Sequence, residues 1–240
     1  MTRNLKQILL AAFLVFIAFS PSIFAELSSV DDHDMYKWLS GPDPTFKDLF
    51  FPQAFDGAYY RPLIGVSYLF DKHVWLLDTR LMHLDNILFH IANALLIYYL
   101  AHLLIKQRGY HSSMMPLVSS LLFGLHPITT EPVAWISGRT DIMAGTFVLL
   151  STVFLLKYRD SCKIHLLGLG LIALIPGLLV KETPLFFLLA AVFILLANKE
   201  CSVEISTASS VVDMGSVRCA LFALVATTVL LVSYNVWHVL

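Results

Sequence analysis

Long apolar runs separated by short polar clusters dominate the chain. The runs are Ile8–Ala25, Asp85–Ile105, Pro116–Leu125, Asp141–Leu156, Ile164–Val180, Pro184–Ala197 and Cys219–Leu240. A membrane-spanning helix needs about 20 mostly apolar residues, so each run predicts a span. The third and sixth are short and would recruit flanking residues or sit in thinned bilayer. Pro116 and Pro184 suit a first helical position, where a missing N–H costs little. Thr140 and Thr183 suit N-caps. The expected architecture is an all-α polytopic bundle of about seven transmembrane helices. It divides into an anchor at 1–25, a long first loop at 26–84 and six further helices over 85–240. No internal repeat, heptad seam or low-complexity linker interrupts it.

Composition agrees. The chain is 58% apolar and 14% charged, whereas soluble domains carry roughly 45–50% and about 25%. A net charge of −1 offers no basic surface for nucleic acid. Cys162, Cys201 and Cys219 are widely spaced, without a CxxC, and read as free thiols rather than a zinc site or disulfide framework.

Lys and Arg set the orientation. Arg3 and Lys6 precede the first run, Lys106 and Arg108 follow the second, Lys157, Arg159 and Lys163 follow the fourth, and Lys199 and Arg218 lie between the sixth and seventh. With a cytoplasmic N-terminus all of these fall inside. Asp31, Asp32, Asp34, Glu131, Asp141 and Glu182 then fall outside. Arg3, Lys6, a short apolar core and "SIFA" also fit a cleaved signal peptide. Ile23 is a poor residue three before a cut after Ala25, which favours a retained anchor.

Four polar constellations punctuate this frame. "DDHD" places Asp31 and Asp32 just beyond the first run. Adjacent carboxylates serve as a general base, a metal site or a solvated acidic loop. The segment that follows, to residue 84, holds "MYKWL", "FKDLFFP" and "YYRPLIGVSYLFDKHVWLL". Its content predicts short interfacial helices with Trp38, Tyr59 and Trp75 at headgroup level.

The second constellation is "HPITTEPVAWISGRTD", His126 to Asp141. Pro132 favours a new helical turn, Gly138 a left-handed C-cap, and Glu131 and Trp135 share one face. Arg139 is suited to a phosphate by its bidentate donors and fixed charge, or to pairing with Glu131 or Asp141. The third is "KET", where Lys181 shares a side with Arg139; two such cations fit a lipid phosphate, and the alternative is an ordinary turn with a snorkelling Lys. The fourth, Asn86, His90 and Asn93, lies on one helical face and predicts interhelical hydrogen bonds. His126 reads equally well as structural. The chemistry-bearing groups cluster at span ends, unlike the midplane sites of transporters. That suits an enzyme handling a lipid-linked anionic substrate at the outer interface.

"DDHDMYKW", "YYRPL", "MHLDNILFHIANALL", "FGLHPITTEPVAWISGRTDIMA" and "LLVKETP" occur here in the order seen in the TMTC-like, tetratricopeptide-associated membrane proteins. Over residues 25–200 the chain resembles that family, itself similar to the protein O-mannosyltransferases of the GT-C class. The resemblance implies a GT-C-like fold and an inverting glycosyltransferase. Its donor would be a sugar on a polyprenyl phosphate, and its acceptor a hydroxyl of a protein or glycan outside the cytoplasm. Asp31 or Asp32 would be the base, with a divalent metal possible at that pair. Arg139 and Lys181 would hold the donor phosphate. His126, Glu131, Trp135, Asp141, Glu182 and Arg61 would shape the pocket. The expected setting is a bacterial inner membrane with a periplasmic active side. Tetratricopeptide repeats do not occur in these 240 residues, so a partner or a further part of the protein would supply them. Rival readings are a non-catalytic membrane scaffold that keeps the fold and a transporter of lipid-linked sugar. The latter predicts inverted repeats and helices interrupted near the midplane, and the sequence has neither.

The orientation is testable by thiol labelling. In a protein whose native cysteines are replaced, Thr130→Cys should react with an impermeant reagent in intact cells or spheroplasts and Gln107→Cys should not; the reverse pattern rejects it.

Overall fold

The computed structural model describes residues 3–28, 31–50, 60–107 and 114–196. The seventh apolar run, Tyr59, the loop at 201–217 and the charges at Arg108, Lys199 and Arg218 lie outside them. Among the described residues the structure is all helical, without strands.

The helices are α1 (Arg3–Phe19), α2 (Asp32–Leu39), α3 (Phe46–Phe50), α4 (Pro62–Val74), α5 (Thr79–Gln107), α6 (Met115–Gly124), α7 (Thr130–Ala134), α8 (Arg139–Ser161), α9 (Ile164–Val180) and α10 (Pro184–Leu196). Short 3-10 turns follow α1 at Ser20–Phe24 and flank α7 at Pro127–Thr129 and Ile136–Gly138. The first six apolar runs are helical over most of their described residues. Three stretches are long and apolar enough to cross a membrane: Arg3–Phe24, Thr79–Lys106 and Ile136–Ser161. α6 and α9 are shorter apolar helices. The segment between the first two long stretches carries α2, α3 and α4, the short helices its aromatic content predicts.

α5 is the spine. It packs on α1, α6 and α8, and α8 packs in turn on α9 and α10. Hydropathy suggests a start at Asp85, yet the helix begins at Thr79. The Asp78 carbonyl accepts from Leu81 and Met82, and its carboxylate accepts from Arg80 N at 2.9 Å. At 1.5 Å per residue the 29-residue helix is about 44 Å long, against about 30 Å of hydrocarbon. Its first turns can therefore carry His83, Asp85 and Asn86 above the apolar zone.

The polar face of α5 does what its spacing predicts. Asn86 donates to the Trp135 carbonyl at 2.8 Å, His90 Nε2 meets the Gly124 carbonyl at 2.9 Å, and Asn93 donates to Ile142 at 2.9 Å. Ser120 on α6 returns a bond to the Ala94 carbonyl at 2.7 Å. Such bonds hold helices together where lipid gives no hydrophobic drive. Gly124 allows α1, α5 and α6 to approach closely, because a Cβ there would lie 2.6 Å from Val15 Cγ2 and 3.2 Å from Ala94 Cβ.

The alternating helices gather the C-terminal ends of α1, α6 and α9 and the N-terminal ends of α5, α8 and α10 at one end of the bundle. There Arg80 lies over the Phe24 ring and Asn86 reaches Trp135. At the opposite end Gln7 bonds Tyr98, and Lys157 lies over the Tyr99 ring. Cys162 ends α8 in a left-handed conformation, φ 53°. It is disulfide-bonded, which corrects the reading of that residue as a free thiol. One N-cap expectation also changes. α8 starts at Arg139 with Gly138 as N-cap, and Thr140 lies inside the first turn with its hydroxyl on the Ser137 carbonyl at 3.3 Å.

Candidate functional site

The residues with chemistry meet where α2, α4 and α7 cover the ends of α5 and α8. The join is Asp32. Its Oδ2 accepts from Ser28 N at 2.9 Å, and its Oδ1 accepts from Ser137 N at 2.9 Å and Ser137 Oγ at 2.6 Å. The side chain is fully enclosed. A carboxylate is suited to this position, since it offers several acceptor sites to converging donors. Asp32 thereby ties the "DDHD" segment to the turn before α8. Asp31 is different: it is exposed, sits at the N-cap of α2 and makes no side-chain capping bond. The two acidic neighbours are thus separated into a tie and an open carboxylate. Among the described residues no group of three His, Cys, Asp or Glu could hold a metal.

The loop from His126 to Gly138 is built from local bonds. His126 Nδ1 accepts from Ile128 N at 3.2 Å, and its carbonyl accepts from Thr129 N and Oγ1 at 3.0 and 2.7 Å. This favours the structural reading of His126. Pro132 lies within α7, as expected. Gly138 is not a left-handed cap: its φ is −63°. It is glycine because a Cβ would fall 2.5 Å from the Pro132 carbonyl oxygen and 2.7 Å from its Cα. That close crossing turns Trp135 back over α7, so that Ser28, Thr130, Glu131, Ala134 and Trp135 line a cavity of about 390 Å³. The Trp135 indole N–H is buried and has no hydrogen-bond partner.

Arg139 is the main departure from the sequence reading. It is 1% exposed. Its Nε donates to Asn86 Oδ1 at 2.9 Å, Nη1 to Asp71 Oδ2 at 2.6 Å and Nη2 to the Met82 carbonyl at 3.0 Å. Asp85 stands 3.9 Å away, and the guanidinium lies over the Tyr68 ring at 5.1 Å. Every nitrogen of the guanidinium is thus engaged, and Arg139 also lines a cavity of about 440 Å³ with Ser67, Phe70, Asp85, Leu88, Phe89 and Ala92. Its partners are not Glu131 or Asp141, the pairing weighed from sequence. A cation in the first turn of a helix opposes the helix dipole, and a buried one needs a counter-charge; Asp71 supplies it when ionised. Burial pushes the Asp71 carboxyl up to about 7, against the opposing pull of Arg139.

Lys181 and Arg61 are placed at the rim. Lys181 pairs with Asp141, and Arg61 pairs with Glu182 at 3.3 Å. The Asp141 and Glu182 side chains are 50% and 59% exposed. Arg139 and Lys181 therefore have separate carboxylates and do not form the expected pair of open cations.

Comparison with known proteins follows this geometry. The chain is 39% identical to the Xenopus laevis protein O-mannosyl-transferase tmtc2 over 103 residues, 43% of this chain and 11% of that protein. It is 36% identical to human protein O-mannosyl-transferase TMTC2 over 102 residues, 42% of this chain and 12% of the relative. Against human TMTC3 it is 26% identical over 160 residues, 61% of this chain and 16% of the relative. The chain is similar to the TMTC protein O-mannosyl-transferases. It spans only about a tenth to a sixth of the length of these relatives. No family model matches the chain, and no solved structure does.

Some residues of this site were not singled out as site candidates from sequence. Asp71 and Asp85 are single carboxylates in an aromatic helix and at the edge of an apolar run. His83 is buried with both ring nitrogens unpartnered. Ser137 carried no signal of its own. The weak signal for Asp71 was a charge within "SYLFDKHVW", where an apolar surround asks for a partner.

Two outcomes follow for the Arg139 network. Arg139→Lys keeps the charge but not the three-way fork. Losing a charge-assisted bond worth about 1.5–3 kcal/mol should lower the melting temperature in detergent by about 3–12 °C; an unchanged melt removes Arg139 from its structural role. For Asp71, the folded state keeps a proton that the unfolded chain releases near pH 4. Stability should be highest below that value and fall as pH rises to about 7. Asp71→Asn should flatten this slope in melts taken across the window. A wild-type slope of the opposite sign would mean that Arg139 holds Asp71 ionised.

Proposed function

We propose that the chain is the sugar-transferring part of a membrane glycosyltransferase, acting on a polyprenyl-phosphate-linked sugar at the end of the bundle that carries α7. The observation that carries this reading is the Asp32–Ser137 tie. It joins the acidic segment to the Glu131–Trp135 loop around one cavity, while Asp31 stays open beside it in sequence. The similarity to proteins named O-mannosyl-transferases supports a mannosyl group. The Lys and Arg distribution supports the non-cytoplasmic side for this end.

In this scheme an acceptor hydroxyl loses its proton to Asp31 as its oxygen attacks the anomeric carbon. The bond to the lipid phosphate breaks on the opposite face, and the configuration inverts. Asp32 is a positioning residue. Its carboxylate has three donors and holds the turn that presents Trp135. The leaving phosphate is assigned to Lys181 and Arg61 rather than Arg139. Both rim cations sit in partly exposed ion pairs, which in water are worth about 0–1 kcal/mol. Exchanging a carboxylate for a phosphate there costs little.

A second reading is a scaffold that keeps the fold without the chemistry. The full engagement of Asp32 and Arg139 in structure favours it. Asp31→Asn separates the two. Purified protein in nanodiscs would be given polyprenyl-phosphate [3H]mannose and a hydroxyl-bearing acceptor extract. General-base loss costs roughly 100- to 10,000-fold, so turnover should fall at least about 100-fold with donor binding retained. Transfer by Asp31→Asn at the wild-type rate rejects Asp31 as the base, and no transfer by wild type favours the scaffold.

A further inference from the structure

The ion pairs Arg61–Glu182, Lys72–Asp43, Arg139–Asp71 and Lys181–Asp141 neutralise cations at the α7 end of the bundle. The opposite end is built differently. There lie Arg3 and Lys6 on α1, Lys106 on α5, Lys157 on α8 and Lys163 just before α9. Among the described residues, none of these has a carboxylate within ion-pair distance. Lys157 is the most constrained of them. It is half-buried, and its ammonium lies 5.0 Å from the centre of the Tyr99 ring. Leu100, Val153 and Leu156 pack in the same α5–α8 seam, with Tyr99 against them. Tyr99, His102 and Lys106 are spaced three and four apart and so share one face of α5. Tyr99 stands about 10 Å before Lys106 along the helix, so the ring holds the Lys157 charge on the apolar side of the exposed Lys106. A ring face attracts a cation without neutralising it. A cation drawn toward hydrocarbon needs an anion, and the described residues supply none.

We propose that the Tyr99–Lys157 seam, with Lys106 at its outer edge, binds the headgroup phosphate of an anionic phospholipid of the bilayer. Lys157 and Lys106 supply the charge, and the Tyr99 hydroxyl and a His102 ring N–H are donors on the same face. Charge complementarity selects the occupant. Arg3, Lys6 and Lys163 add to the positive field of this end, which attracts a lipid of net negative charge and repels the ammonium of a zwitterionic one. A phosphate that bridges α5 to α8 gives this end what carboxylates give the other. The site is independent of the transferase reading, which assigns the lipid-linked donor to the α7 end.

The test is a thermal-shift titration of the purified, delipidated chain in neutral detergent. Phosphatidylglycerol, phosphatidylcholine and polyprenyl phosphate are added separately. Phosphatidylglycerol should raise the melting temperature saturably, as a ligand of the folded state does, and phosphatidylcholine should not. Lys157→Gln should raise the half-saturating concentration of phosphatidylglycerol about fivefold, the loss expected for one cation at an anionic lipid surface. Lys106→Gln changes an exposed side chain outside the packed seam and should act in the same direction; it decides the matter if Lys157→Gln does not fold. Lys47→Gln removes an exposed charge from α3, away from this end, and should leave the affinity unchanged. Absence of a phosphatidylglycerol shift, equal stabilisation by phosphatidylcholine, or an equal loss in all three variants overturns the proposal. So does a phosphatidylglycerol affinity that neither Lys157→Gln nor Lys106→Gln alters. If those two variants weaken only the response to polyprenyl phosphate, the seam belongs to the lipid-linked donor and the proposal is overturned as well.

Discussion

A buried guanidinium is the constraint on which the rest depends. Arg139 opens α8, where the helix dipole is unfavourable to a cation, and is almost wholly enclosed. An ion in that position must be paired and its donors satisfied. Three groups on two helices supply what it needs: Asp71 from α4, and Asn86 and the Met82 carbonyl from α5. The loop between the first two long helices is thereby locked onto the bundle. Removing one partner would strand a charge, which is why such networks act through the consequences of breaking them rather than through a large net gain.

Around that lock the outer segments are positioned by short, specific bonds rather than by a large core. Asp32 collects donors from Ser28 and Ser137, and Lys72 bridges α4 to the Gly41 carbonyl at 2.7 Å. Leu39, Ile64, Tyr68, Met82 and Ile136 pack beneath them. The turn between α4 and α5 holds Leu76 and Leu77 at φ 53° and 61°, a conformation costing roughly 1–2 kcal/mol per residue. It is held by Asp71 and Trp75 carbonyls and by Trp75 Nε1 on Asp85 at 2.9 Å. The same residues that neutralise Arg139 thus sit at both ends of a strained turn.

The candidate site gains two different surfaces from this arrangement. The rim carries exchangeable ion pairs, Lys181–Asp141 and Arg61–Glu182. The cavity beside α7 carries neutral and acidic groups around an aromatic ring. In the proposed scheme the leaving phosphate is assigned to the first of these. Asp31, uncommitted by capping, is the open carboxylate of the same segment.

The sequence by itself determined the helices and the ends at which the polar groups gather, because hydropathy and chain length act locally and leave few other solutions in lipid. It also determined the hydrogen-bonding face of α5, since a spacing of four and three fixes Asn86, His90 and Asn93 on one side whatever they meet. Which carboxylate would serve which cation was decided only by the tertiary structure. Arg139 lies two residues from Asp141 and eight from Glu131, yet its partner is Asp71, 68 positions away. Charge type is written in the residue, whereas pairing depends on which side chains are brought to the same depth and deprived of water. For the same reason the sequence could not separate Asp31 from Asp32. Only the approach of Ser137 makes one of them a buried tie and leaves the other to solvent.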